Sequence, residues 1–261
     1  MVIESIPKTA GMVYAIAASL LVVLLFRSGR FNRWTGYAML LISTAFGFLV
    51  FAPMLPNQLQ VVLLGNTKQL GVPVALAFVA LALFVVMAFA FGRSFCGHVC
   101  PIGAVQELIY LIPGRKLLIR SKAVPIGVRA AFLAAFLVAA LVFSTGLLTY
   151  LGVRDFFHLE FSSAYVYVLL GILAIGVFIY RPFCRFLCPY GALLSLAAVK
   201  SRLRLHRNEL CIDCGKCEKV CPTYEAGRTN LKQECYLCDR CRQVCPTGAI
   251  VYGRAPSGGD H

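Results

Sequence analysis

Cys211-Ile-Asp-Cys214-Gly-Lys-Cys217-Glu-Lys-Val-Cys221-Pro222 is answered a short way on by Cys235-Tyr-Leu-Cys238-Asp-Arg-Cys241-Arg-Gln-Val-Cys245-Pro246. Both runs obey C-x2-C-x2-C-x3-C-P. Three closely spaced thiolates wrap one 4Fe-4S cubane in a tight loop, and the fourth cysteine of each run crosses to the other cluster. The expected ligand sets are therefore Cys211, Cys214, Cys217 with Cys245, and Cys235, Cys238, Cys241 with Cys221. Zinc also accepts CxxC pairs, but it needs neither the third cysteine two residues on nor the Cys-Pro ending. Repeated twice, the pattern points to two iron–sulfur clusters. Thr247-Gly248-Ala249 reads as a turn into a short strand at Ile250-Val251.

N-terminal to these runs the chain changes character. Of 261 residues, 59% are hydrophobic and only 14% charged, with a mean hydropathy of +0.79, where soluble domains are about 45–50% apolar and roughly 25% charged. The apolar residues fill positions 1–196, and 197–261 read as a small water-facing domain. A bilayer core of about 30 Å needs roughly 20 apolar residues per helix. Five segments qualify: 9–26, 35–54, 70–92, 126–150 and 162–180. The first lacks the basic flank of a signal peptide, since Glu4 balances Lys8, and reads as a span.

Lys and Arg set the orientation. Arg27, Arg30, Arg33, Arg93, Arg115, Lys116, Arg120, Lys122, Arg129, Arg181 and Arg185 fall on one side, against Lys8, Lys68 and Arg154 on the other. Eleven against three predicts an integral cytoplasmic (inner) membrane protein, N-terminus out, with the C-terminal domain in the cytoplasm. The formal charge of +14 gives little support to nucleic-acid binding. Most of it is topology, and cluster thiolates offset the remainder.

The other four cysteines lie in an internal repeat. Arg93-Ser-Phe-Cys96-Gly-His-Val-Cys100-Pro-Ile-Gly-Ala matches Arg181-Pro-Phe-Cys184-Arg-Phe-Leu-Cys188-Pro-Tyr-Gly-Ala. Each copy follows a hydrophobic hairpin of the same sense, which predicts a parallel repeat of two hairpins with all four cysteines at one cytoplasmic rim. Pro101 and Pro189 suit the first turn of a helix, setting Cys100 and Cys188 at helix N-termini, where the dipole favours a thiolate. Three readings stay open for Cys96, Cys100, Cys184 and Cys188: a further metal or iron–sulfur centre, redox-active thiols, or docking elements beside the clusters. His98 is a weak ligand candidate because Phe186 stands at its place in the second copy. On the outer side, Arg154 to Phe161 reads as an aromatic belt, with a quinol site using His158 as the sharper alternative. The spans carry no Asp or Glu, so no proton relay is visible in them.

Two CxxxCP motifs after membrane hairpins, followed by a two-cluster ferredoxin run, resemble the ferredoxin-type quinol dehydrogenase subunits of the NapH family, with related modules in NosR-type and MauN-type proteins. The resemblance covers roughly residues 35–252. It implies an all-α transmembrane bundle of about five spans carrying a C-terminal α+β bacterial ferredoxin-like domain. It also implies electron transfer between quinol or quinone, or a cytoplasmic donor, and a redox partner subunit. No nucleophile–base constellation or nucleotide-binding glycine loop is present, so any turnover would be redox chemistry of the quinol-dehydrogenase kind. The alternative function is an accessory factor supplying electrons or thiols for metalloenzyme maturation, since CcoG-type proteins use similar elements.

Overall fold

The computed structural model describes residues 2–50, 55–65, 73–228 and 230–254. Eight helices form its larger part: α1 Val2–Arg27, α2 Arg33–Val50, α3 Leu55–Leu63, α4 Val74–Phe91, α5 Pro101–Tyr110, α6 Ala123–Leu141, α7 Ala164–Ile175 and α8 Pro189–Val199. Asn32 starts α2 by accepting the Thr35 amide at 2.8 Å, satisfying one of the unpaired N–H groups of a first turn. Four of the described helices are long and apolar enough to cross a membrane, namely those beginning in α1, α2, α4 and α6. Their outer surfaces carry bare apolar side chains, among them Leu24, Leu49, Val79 and Leu141, each more than 60% exposed. In water such a surface is a liability; in lipid it is the solvated face. Positions 51–54 and 70–72 of the expected spans lie outside the described residues.

The fifth expected span, 162–180, is matched only in part. Its helix α7 has 12 residues, or about 18 Å at 1.5 Å per residue, short of a bilayer core of about 30 Å. The last turn tightens, with Val177 bonded to Ala174 and Phe178 to Ile175. The chain then turns extended, bridging Ile179 to Leu117, and Arg181 adopts a left-handed φ of 48°. The fourth expected span ends early as well, at Leu141. Ser144 takes a φ of 50°, and Leu147–Tyr150 and Val153–Phe157 form single helical turns.

The two CxxxCP motifs fold alike. Phe95–Val99 and Phe183–Leu187 are π-helical turns. Cys100 and Cys188 are extended (ψ 121° and 108°), and each is followed by a helix with proline in its first turn. These helices, α5 and α8, are short and begin inside the bundle. Tyr190 at the head of α8 donates to the Leu81 carbonyl at 2.7 Å, ten residues before the end of α4, or roughly 15 Å along it. A Cβ on Gly47 of α2 would lie 2.6 Å from Pro101 at the head of α5, and Gly47 stands about 21 Å along α2 from Arg33.

Beyond α8, β1 (Arg204–Arg207) pairs antiparallel with β2 (Ile250–Gly253), so the strand expected at Ile250-Val251 is present. The two cysteine runs lie between these strands. This part is seated on the helices: Arg202 and Leu203 donate their amides to the Phe89 and Ala90 carbonyls at the end of α4, and Tyr252 donates its hydroxyl to Phe91 O at 2.8 Å.

Candidate iron–sulfur sites

The two cysteine runs share one backbone recipe. Asp213 and Gly215 in the first run and Leu237 and Asp239 in the second all adopt left-handed φ values between 51° and 68°. Three of the four are not glycine, for which this conformation costs on the order of 1 kcal/mol each. Alternating the chain's hand turns successive N–H groups inward, a nest suited to an anion. At the Cys-Pro ends, Cys221 Sγ accepts the Glu225 amide and Cys245 Sγ accepts the Ala249 amide, both at 3.3 Å.

The cysteines converge in crossed sets. Cys221, Cys235, Cys238 and Cys241 line one cavity, and Cys211, Cys214, Cys217 and Cys245 line another. Ile250 faces both. All twelve cysteines of the chain are free of disulfides. Among the described residues no three His, Cys, Asp or Glu side chains form a group that could hold a single metal ion. Thiols gathered round a cavity, with amides aimed at the sulfurs, fit a cubane.

Cys96, Cys100, Cys184 and Cys188 are buried, each 5–8% exposed. They influence one another: burial first, then Cys184, Cys96 and Cys188, push the Cys100 thiol well up. Cys184 is pushed up to about 11, chiefly by burial, against the pull of Arg181. The motifs brace each other across the repeat. Gln106 of α5 donates to Cys184 Sγ at 3.2 Å and accepts the Phe183 amide at 2.9 Å. Arg181 of the second motif donates to Cys96 O and, at 2.7 Å, to Gly97 O of the first. Gly191 donates its amide to Cys188 Sγ at 3.1 Å. The N-termini of α5 and α8 both abut this thiol group, and their dipoles favour anionic ligands there. His98 is buried too, but its neighbours are Phe31 and Phe26, at ring distances of 5.1 and 6.1 Å. Burial and then Arg181 lower its pKa to about 4.

Sequence reasoning missed the acidic residues that tie the cysteine runs to the helices. Glu234, beside Cys235, accepts from Arg93 at 3.1 Å and Arg129 at 2.6 Å, with Arg185 at 3.5 Å. Glu107 of α5 accepts from Tyr180 at 2.7 Å and Arg181 at 2.8 Å, and pairs with Arg240 between Cys238 and Cys241. Burial alone would push the Glu107 carboxyl up; Arg181 and Arg240 hold it at about 2. Tyr236 lies between these two ion clusters, 2% exposed. The guanidiniums of Arg93 and Arg181 stand 4.2 and 4.8 Å from its ring centre. Thus Arg93, Arg129, Arg181 and Arg185, counted above as topology signals, are buried structural cations.

Helices long and apolar enough to cross a membrane, joined to two sets of cysteines gathered round cavities, point to a membrane iron–sulfur protein. A family model described as a 4Fe-4S binding domain matches residues 72–120 and 164–208, the two stretches that carry the CxxxCP motifs, and a second of the same description matches 206–224. Among curated proteins the chain is similar to YccM of Escherichia coli (33% identical, covering 60% of this chain and 49% of that one). It is also similar to MJ0750 of Methanocaldococcus jannaschii (30%; 54% and 63%) and to the ferredoxin-type protein NapH of Haemophilus influenzae (28%; 61% and 58%). The chain thus spans about half to three-fifths of the length of these relatives. No solved structure matches it. These similarities, which extend to MauN of Methylorubrum extorquens and NosR of Pseudomonas aeruginosa, support a NapH-type family of ferredoxin-like membrane electron-transfer proteins.

Proposed function

We propose that this protein relays electrons between the quinone pool of a cytoplasmic membrane and a redox partner subunit, through three iron–sulfur centres held by its twelve cysteines. Residues 1–196 are the membrane bundle, built on two parallel repeats, with the N-terminus outside. Residues 197–261 are the cytoplasmic two-cluster domain. Cys211, Cys214, Cys217 and Cys245 hold one 4Fe-4S cluster, and Cys221, Cys235, Cys238 and Cys241 hold the second. Cys96, Cys100, Cys184 and Cys188 hold the third centre, inside the bundle. Bound clusters supply one-electron redox chemistry; the chain's residues keep them dry, anchored and close.

The observation that carries this reading is Tyr236. It follows Cys235 directly, and its carbonyl lies against Gly97, next to Cys96, so the second cysteine run and the buried thiols share a packed backbone contact. Burial of the four thiols also argues against thiol–disulfide exchange, which needs an accessible sulfur. The relay could serve turnover of a quinol or the maturation of another enzyme, and one experiment separates these. Anaerobically purified protein and its Cys96→Ala/Cys184→Ala variant are assayed for iron and sulfide, then treated with a short-chain ubiquinol. The reading expects about four fewer irons in the variant and bleaching of the cluster absorbance by quinol in the unmodified protein. Equal iron in both proteins would remove the third centre. No bleaching would favour a maturation role.

A further inference from the structure

A second feature of the bundle bears on where the quinone meets the chain, and it rests on the relay reading above. A cavity lies between one face of α2 (Arg33, Gly36, Tyr37 and Leu40), the π-helical turn at Gly97 and His98, and the second cysteine run at Cys238. We propose that this cavity is the binding site for the headgroup of a quinol or quinone.

Its position suits a lipid-borne carrier. α2 begins there, and the side of α2 turned away from the bundle bears Trp34 and Leu41, 79% and 60% exposed. An aromatic followed by bare aliphatics marks the passage from membrane interface to hydrocarbon. The walls suit an aromatic ring with an oxygen at each end. Phe31 contributes an apolar wall. His98 is 4% exposed, and its Nδ1 has no hydrogen-bond partner; the ring is held edge-on by Phe31 at 5.1 Å, and the main chain is fixed by Ser43 Oγ donating to His98 O at 2.7 Å. A buried, unpartnered polar nitrogen at the wall of a cavity calls for a ligand atom. Tyr37 lines the same cavity; its hydroxyl accepts from Arg33 Nε at 2.6 Å and keeps its own proton to donate. Of the other lining charges, Arg240 pairs with Glu107 and Asp239 with Arg242; Arg33 is the cation that a phosphate would seek, so displacement by phosphatidylglycerol is the contrary outcome of the test below.

Cys238 in the wall sets the chemistry. Oxidation of a quinol there breaks two O–H bonds and yields a quinone, two electrons and two protons. A cluster held by Cys221, Cys235, Cys238 and Cys241 would take up the electrons one at a time, and the protons go to water at the exposed Gln243 edge of the cavity. Quinone reduction is the reverse. This site is distinct from the outer turn around His158.

An azido-ubiquinone photolabel on the anaerobic holoprotein in detergent tests the site, with labelled peptides mapped by mass spectrometry. Label should fall within residues 31–40 or on 97–98 and be displaced by ubiquinone-1 but not by phosphatidylglycerol. Gly36→Leu, whose Cβ would press on the Phe31 ring at 3.2 Å and so crowd the cavity wall, and Gln243→Phe, which narrows its exposed edge without touching the core, should each cut labelling by roughly tenfold with cluster iron unchanged. Label at residues 153–161 instead, undiminished label in both variants, or displacement by phosphatidylglycerol would overturn the site. If ubiquinol reduces the clusters equally fast in unmodified protein and both variants, the relay stands and this site falls. If label lands in the cavity yet ubiquinol never reduces the clusters, the site stands and the relay falls.

Discussion

Gly97 and Tyr236 meet backbone to backbone: a Cβ on Gly97 would fall 2.1 Å from the Tyr236 carbonyl oxygen. No side chain fits, and the obstacle is main chain that cannot rotate aside. Gly97→Ala should push the second cysteine run off the CxxxCP turn, at a cost of about 1–3 kcal/mol typical of overpacking. It should lower the unfolding midpoint and, on the relay proposed above, slow electron exchange between the ferredoxin clusters and the proposed buried centre. Gly127→Ala in α6 is the control, because a Cβ there meets nothing within 4 Å and alanine favours a helix. Equal midpoints for the two variants would refute the close contact.

Glu234 is the only acidic partner that Arg93, Arg129 and Arg185 show among the described residues. Glu234→Gln keeps the shape but leaves three buried guanidiniums without a counter-charge. Removing one partner of a buried pair costs roughly 3–5 kcal/mol. The variant should lose its C-terminal clusters on mild heating well before the parent, read as the decay of cluster absorbance with temperature. An unchanged decay curve would mean the arginines are satisfied elsewhere.

How much of this was legible in the sequence depends on the kind of signal. The cysteine spacing pointed to two crossed sets, because a cubane dictates its own loop lengths and the chain repeats them, and two cavities are lined by the same groupings of cysteines. Hydropathy carried the long helices, because a bilayer imposes a length. It failed at α7, where Gly176 and the extended Ile179 end the helix early so that Arg181 can reach Cys96 O and Gly97 O; apolar composition does not record where a backbone turns. The depth of Pro101 and Pro189 was also hidden, since a short helix starting inside a bundle has the same composition as one lying on its rim. Glu107 was the available clue. A carboxylate in the apolar stretch Pro101–Tyr110 has to find cations, and Arg181, at the same place in its repeat as Arg93, was one of them.

That carboxylate gives a pH prediction. Arg181 and Arg240 hold Glu107 at about 2, below its ordinary 4.5, so its contribution to stability is complete above about 4.5 and is lost only as the pH falls toward 2. The stability difference between the parent and Glu107→Gln should therefore be flat from about pH 8 to pH 5. Denaturant unfolding at several pH values in that range measures it. A difference that shrinks as the pH drops from 8 to 5 would place the carboxyl pKa far higher than the two arginines allow.

Gln106 offers the most specific handle on the buried thiols. Its amide donates to Cys184 Sγ at 3.2 Å, and its carbonyl oxygen is fixed by the Phe183 amide at 2.9 Å, so the donor cannot swing away. A hydrogen bond to a cluster sulfur stabilises the more negative, reduced state and raises the potential. Gln106→Leu is close in volume and removes that donor. With a net hydrogen bond worth about 1 kcal/mol, the midpoint potential of the proposed buried centre should fall by roughly 40 mV for a one-electron couple. The two ferredoxin clusters, whose sulfurs accept from the Glu225 and Ala249 amides instead, should hold their potentials. An EPR-monitored redox titration resolves the centres. A shift shared by all of them would point to general loosening, whereas a drop confined to one would assign that signal to Cys96, Cys100, Cys184 and Cys188.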